Sequence, residues 1–197
     1  MAYHINKLHI LVHPGFDFFD AHTYPDSSCS GAREESAEKV LNQYKKKIDS
    51  LADDDVLALF SASDKKNYRR DYASGSKWTE IERYAKTRLN PRRVIRLSDP
   101  SFLCRGDDPT SLSTLFNILD KRGFDFPEDT PCEIWGESAG ECVAETALQA
   151  EKHFTLKDLT IPLKATDEFN RPEEINRLTQ SLREMQPKTK VKVENRL

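Results

Sequence analysis

Along this chain, short apolar runs alternate with apolar stripes at helical spacing. Leu8-His9-Ile10-Leu11-Val12-His13 is nearly all apolar, the pattern of a strand covered on both faces. Pro14 to Gly31 is rich in Pro, Asp, Ser and Gly and reads as a loop. Ala37, Val40, Leu41, Tyr44 and Ile48 then keep helical spacing, with charges on the opposite side. Asp55 to Phe60 predicts a second buried strand. Trp78, Ile81, Tyr84, Ala85 and Leu89 predict a second helix, stopped near Asn90-Pro91. Val94 to Leu97 reads as a third strand. Leu112, Leu115, Phe116 and Leu119 mark a third helix that Gly123 ends. Cys132 to Trp135 is a fourth strand, followed by the helix of Ala139, Val143, Ala147 and Ala150. Leu159 to Leu163 reads as a fifth strand, which Pro162 either argues against or places at a sheet edge. Ile175, Leu178 and Leu182 close the pattern with a helix.

These alternations predict an α/β fold of three layers: a mainly parallel, twisted sheet with helices on both faces. Residues 1–187 make a single domain, and the basic residues 188–197 form a frayed tail or a short edge strand. Ligands of such sheets bind beyond the carboxyl ends of the strands. That rule brings together segments 13–26, 61–77 and 136–142, joined by 98–109.

The 197 residues suffice for a full core, and 32% charged against 37% hydrophobic residues describe a well-solvated protein. A net charge of -3 provides no global field for nucleic acid, which is therefore not an expected partner. No apolar run approaches the roughly 20 residues that cross a bilayer, so no membrane association is expected. The first residues lack the apolar centre of a signal peptide. Cys29, Cys104, Cys132 and Cys142 show no CxxC spacing, so the expectation is reduced thiols in the cytoplasm.

Chemistry concentrates at Cys132 to Val143, where an apolar strand runs through Gly136-Glu137-Ser138-Ala139-Gly140 into a helix. Two nucleophiles, Ser138 and Cys142, stand about one helical turn apart near backbone N–H groups that lack intrahelical partners. The Gly-x-Ser-x-Gly wording resembles the nucleophile elbow of carboxylesterases and other α/β-hydrolases. Serine needs a histidine to take its proton, and the only later one is His153. If the helix persists, it sits roughly 22 Å along the axis from Ser138. Ser138 also opens a Ser-x-x-Glu capping box with Glu141. Cys142 would gain thiolate character from the helix dipole, opposed by Glu141 if both side chains face the same space. Two further groups are weaker. His13, Asp17, Asp20 and His22 crowd one loop without matching a metal motif. Lys65, Lys66, Arg69, Arg70 and Lys77, interleaved with Tyr68, Tyr72 and Trp78, have the composition of a phosphate or single-stranded nucleic-acid site, but the acidic total favours a solvated loop leading to the Trp78 helix.

Gly136 to Ala147 resembles the strand, glycine, loop, Cys-Val and helix segment of the isochorismatase-like cysteine hydrolases, which include nicotinamidases. Leu11 to Phe19 is similar to the family's first strand and acidic loop, and Val94 to Leu119 to its lysine-bearing strand and loop. The resemblance spans roughly residues 6–165. It implies a triad in which a cysteine attacks a carbonyl, an aspartate acts as base and a lysine assists. Cys142 matches the cysteine. His13 occupies the aspartate's place, with Asp17 as a substitute four residues on, and Arg96 is the nearest counterpart of the lysine. The Glu141 and Cys142 amides would receive the oxyanion. Ser61-Ala62-Ser63-Asp64-Lys65 lacks the histidine of the nicotinamidase metal set, so neither metal nor cofactor is expected. The implied activity is hydrolysis of a small amide or ester, with homo-oligomerisation. Loss of the triad would instead leave a binding protein on the same fold.

Overall fold

Strands in this chain read as apolar on both faces because both faces are covered. The computed structural model describes residues 3–12, 34–62, 77–99, 110–127, 129–136, 142–154, 156, 158–165, 172–185 and 190–194. In chain order the elements are β1 (Tyr3–His4), β2 (Leu8–Val12), α1 (Glu34–Asp49), β3 (Val56–Ala62), α2 (Lys77–Arg88), β4 (Val94–Asp99), α3 (Thr110–Lys121), β5 (Phe124–Asp125), β6 (Cys132–Gly136), α4 (Ala144–Phe154), β7 (Leu159–Pro162), α5 (Pro172–Met185) and β8 (Lys192–Glu194). Single 3-10 turns at Pro91–Arg93 and Leu163–Ala165 precede β4 and follow β7.

Six strands form one sheet in the order β4-β3-β2-β6-β7-β8. Every neighbouring pair is parallel. Side chains alternate between the faces. Leu11, Leu57, Leu59, Val94 and Trp135 meet α1 and α2 through Leu41, Tyr44, Ile48, Ile81 and Ala85. Ile10, Val12, Ala58, Phe60 and Ile134 meet α3, α4 and α5 through Leu115, Leu119, Ala147, Leu178 and Leu182. Burying each large side chain contributes roughly 1.5–3 kcal/mol. Trp135 and Tyr44 are both buried, their rings 5.8 Å apart and tilted. The three-layer α/β sandwich predicted from the pattern is the observed one.

Local signals account for several boundaries. Gly123 takes φ 75°, and its N–H bonds to the Asp120 carbonyl at 2.8 Å, closing α3 in the left-handed conformation that glycine adopts freely. Asn90 accepts from the Arg92 N–H at 3.0 Å ahead of Pro91, starting the turn before β4.

Two features differ from the sequence expectation. β7 is not at an edge: it lies between β6 and β8, and described tail residues supply the edge strand β8. Pro162 is tolerated because the β6 ladder reaches only Thr160, paired with Glu133, while Pro162 pairs with Glu194 of β8. The second is a parallel pair of two-residue strands, β1 with β5, too short to carry a pattern.

Candidate functional site

The chain leaves β2, builds β3 and β4 on one side, then returns to place β6 on the other side of β2. The strand order therefore reverses between β2 and β6, and a crevice beyond their carboxyl ends is the favoured ligand position in such a sheet. At that point Val12 and Gly136 are register partners. Gly136 has φ 125°, and a Cβ there would lie 2.1 Å from the Val12 carbonyl oxygen. Only glycine lets the two backbones approach so closely.

Beyond Gly136, Cys142 and Val143 form a π-helical turn that enters α4. Such turns are frequent at functional sites. Cys142 is half-buried and packs against the core beneath α3, α4 and α5. Thr146 donates its hydroxyl to the Cys142 carbonyl at 2.7 Å, anchoring the turn. Cys142 is a thiol and not half of a disulfide. His13, Asp17, Ser138 and Glu141 lie outside the described residues. α4 runs on to Phe154, one residue past His153.

Arg96 is described, and its place is specific. It stands on β4 two residues after Val94, opposite Leu59 in register, on the face that α1 and α2 cover. Its guanidinium donates to Glu82 of α2 at 3.0 Å. Cys142 packs against the other face, so the structure does not bring these two residues together.

Cys132 is sealed off. Burial, and then the neighbouring Glu133 charge, push its thiol well above the ordinary range, so it holds its proton at neutral pH.

A constellation absent from the sequence reading lies at the amino ends of the same central strands. His9 and Glu133, register partners on β2 and β6, are both buried under α1. Glu133 Oε2 is 2.7 Å from the buried Lys47 Nζ of α1, and Oε1 accepts from Lys7 at 2.8 Å. The His9 ring spans the two acids, with Nδ1 3.4 Å from Glu133 Oε2 and Nε2 3.3 Å from Asp55 Oδ2. Asp55 also accepts from the Asn6 amide at 3.0 Å and the Ala52 N–H at 2.9 Å. Burial alone would raise the Glu133 carboxyl; contacts from His9, Lys47 and Lys7 more than offset it and hold the group well below the usual carboxylate range. Burial likewise opposes ionisation of Asp55, yet bonds from His9, Ala52 and Asn6 keep its pKa lowered. The network joins β2, β6, α1 and the approach to β3. The available signal was a polar, ionisable side chain inside each of two apolar strands, since a buried polar group demands a partner.

The chain is similar in structure to an isochorismatase-like hydrolase from Alkaliphilus metalliredigens, with a TM-score of 0.54 and 16% identity over 95% of this chain and 94% of that one. A pyrazinamidase of Pyrococcus horikoshii in complex with zinc gives 0.53 and 16% over 96% and 98%. A hypothetical protein from Trypanosoma cruzi gives 0.51 and 11% over 95% and 78%. This is the isochorismatase-like fold. No family model matches the chain, and no curated protein matches it in sequence. Among the described residues no three His, Cys, Asp or Glu side chains gather as a cation site would require. Nor is any described helix long and apolar enough to cross a membrane.

Proposed function

We propose that this chain is a divergent isochorismatase-like hydrolase of a small amide or ester, with Cys142 as nucleophile. The observation that carries the reading is the entry of Cys142 into α4, six residues after Gly136, at the point where the strand order reverses. The isochorismatase-like fold supports it as well. In the proposed reaction His13 takes the thiol proton, and the sulfur attacks the substrate carbonyl carbon. The carbonyl electron pair moves to oxygen, received by the Glu141 and Cys142 amides. Collapse breaks the bond to the amine or alcohol, which leaves with the proton from His13. Water then adds to the thioester, giving its proton to His13, and the acid departs as the thiol is restored. Asp17 is the substitute base. Arg96, already paired with Glu82, is given no part.

The test is a screen with activated esters and amides, followed by intact-mass analysis of the trapped protein. The expected result is turnover lost in Cys142→Ala, and one acyl group mapped to Cys142 in the wild type. Undiminished turnover in that variant refutes the cysteine mechanism, and fluorophosphonate labelling of Ser138 would then assign it to the serine. A second reading, a ligand-binding protein without turnover, is favoured by the Arg96–Glu82 pair, which removes the nearest counterpart of the family's lysine. Binding of small amides without hydrolysis would select it.

A further inference from the structure

At the amino end of edge strand β4, far along the sheet from Cys142, a cavity of about 560 Å³ is lined by Tyr3, Arg92, Arg93, Lys121, Arg122 and Phe124. Among the described residues no acidic side chain lines it. The partners of its arginines are neutral oxygens. Arg93 donates to the carbonyls of Asp54 and His4, the latter at 3.3 Å, and lies over the Phe124 ring at 5.4 Å. Arg122 donates to the carbonyls of Arg92 at 2.7 Å and Val94 at 3.5 Å. Arg92 donates to the Tyr3 hydroxyl at 3.3 Å. Such bonds fix the direction of a guanidinium without cancelling its charge. Among the described residues no carboxylate pairs with any of the four cations. A chain with a net charge of -3 thus gathers, in one hollow, positive charge that no described carboxylate pairs.

The second observation is the ring beside it. Tyr3 is 47% exposed, the one large apolar side chain so exposed among the described residues. It stands 5.7 Å from Phe124. Flat exposed rings stack on flat ligands, and guanidinium groups receive phosphate oxygens in bidentate fashion.

We infer that this hollow binds a nucleoside phosphate, with the phosphates among Arg92, Lys121 and Arg122 and the base against Tyr3. A single carboxylate would leave most of the positive charge unmatched, whereas a diphosphate matches it. The volume falls in the range of roughly 300–1,000 Å³ for small-molecule sites, and the charged patch is too confined to track a polymer. The site is separate from the proposed hydrolytic centre.

Calorimetry on the full chain with ADP, pyrophosphate and adenosine tests it. ADP should bind, pyrophosphate more weakly and adenosine not measurably. Lys121→Glu combined with Arg92→Glu should weaken ADP at least about tenfold. Lys121→Glu alone serves as the surface variant that preserves folding, and it should lower both ADP affinity and its salt dependence. Tyr3→Ala should weaken ADP severalfold and leave pyrophosphate unchanged. The proposal is overturned if ADP binds no tighter than about 1 mM, or equally well to the doubly charge-reversed protein. Binding of single-stranded oligonucleotide without ADP, or a Tyr3→Ala protein that still binds ADP fully, overturns it too.

Discussion

Val12 and Gly136 face each other in register with their backbones so close that a Cβ on Gly136 would fall 2.1 Å from the Val12 carbonyl oxygen. Val12 cannot retreat, because it is held on its other side by its register partner Phe60 of β3. Gly136→Ala should therefore lose on the order of 3 kcal/mol or more in urea unfolding. Gly123, also at positive φ, has nothing within 4 Å of its missing Cβ. Gly123→Ala should lose only about 1–2 kcal/mol, the backbone term alone. Equal losses at the two positions would show that the close approach is not the constraint.

Removing Glu133 strands Lys47 and His9 without their shared acid. Breaking one side of a buried ion pair costs about 3–5 kcal/mol, and Glu133→Ala should fall in that range by chemical denaturation. Glu133→Leu with Lys47→Met should lose less than the sum of the single changes, since the stranded ammonium goes too. Additive losses would show that the two groups act independently.

The same acids set the acid limit of the fold. Folded Asp55 and Glu133 are more acidic than in the unfolded chain. Their stabilisation is complete above the ordinary carboxylate range near pH 4, and is lost as pH falls through the lowered folded values. Unfolding free energy should thus be level above about pH 5 and drop steeply below pH 4. Glu133→Gln should start lower and fall less. A wild type and variant of identical slope would place the acid sensitivity elsewhere.

Thiol reactivity separates the two described cysteines. Cys132 is buried and its thiol stays protonated, whereas Cys142 is half-buried. Brief alkylation of the native protein at about pH 8 should label Cys142 and spare Cys132, which should label only after denaturation. Peptide mapping reads this directly, and equal labelling rates would contradict the buried setting of β6.

The sheet was legible because doubly covered strands such as Leu8–Val12 and Cys132–Gly136 are apolar throughout. β1 and β5 escaped notice because two residues hold no periodicity. Pro162 misled because a missing N–H excludes a strand from the sheet interior only where that N–H is needed, and the β6 ladder stops before it. His9 and Glu133 each looked like a single polar residue in an apolar run, and only register makes them partners. Arg96 illustrates the same limit: spacing assigns it to a strand, but not to the α2 face and Glu82. Of the site chosen from sequence, Cys142 and Arg96 are described and stand on different faces, while His13, Asp17, Ser138 and Glu141 lie outside the described residues.

β2 precedes both β3 and β6 in the chain, yet it lies between them in the sheet. During synthesis it can join β3 first, but its other side stays bare until β6 has been made. That bare side offers open backbone groups beside Leu8, Ile10 and Val12, a template for a neighbouring nascent chain. Yield in a cell should therefore respond to chaperone shielding during translation more than to the stability of the finished protein.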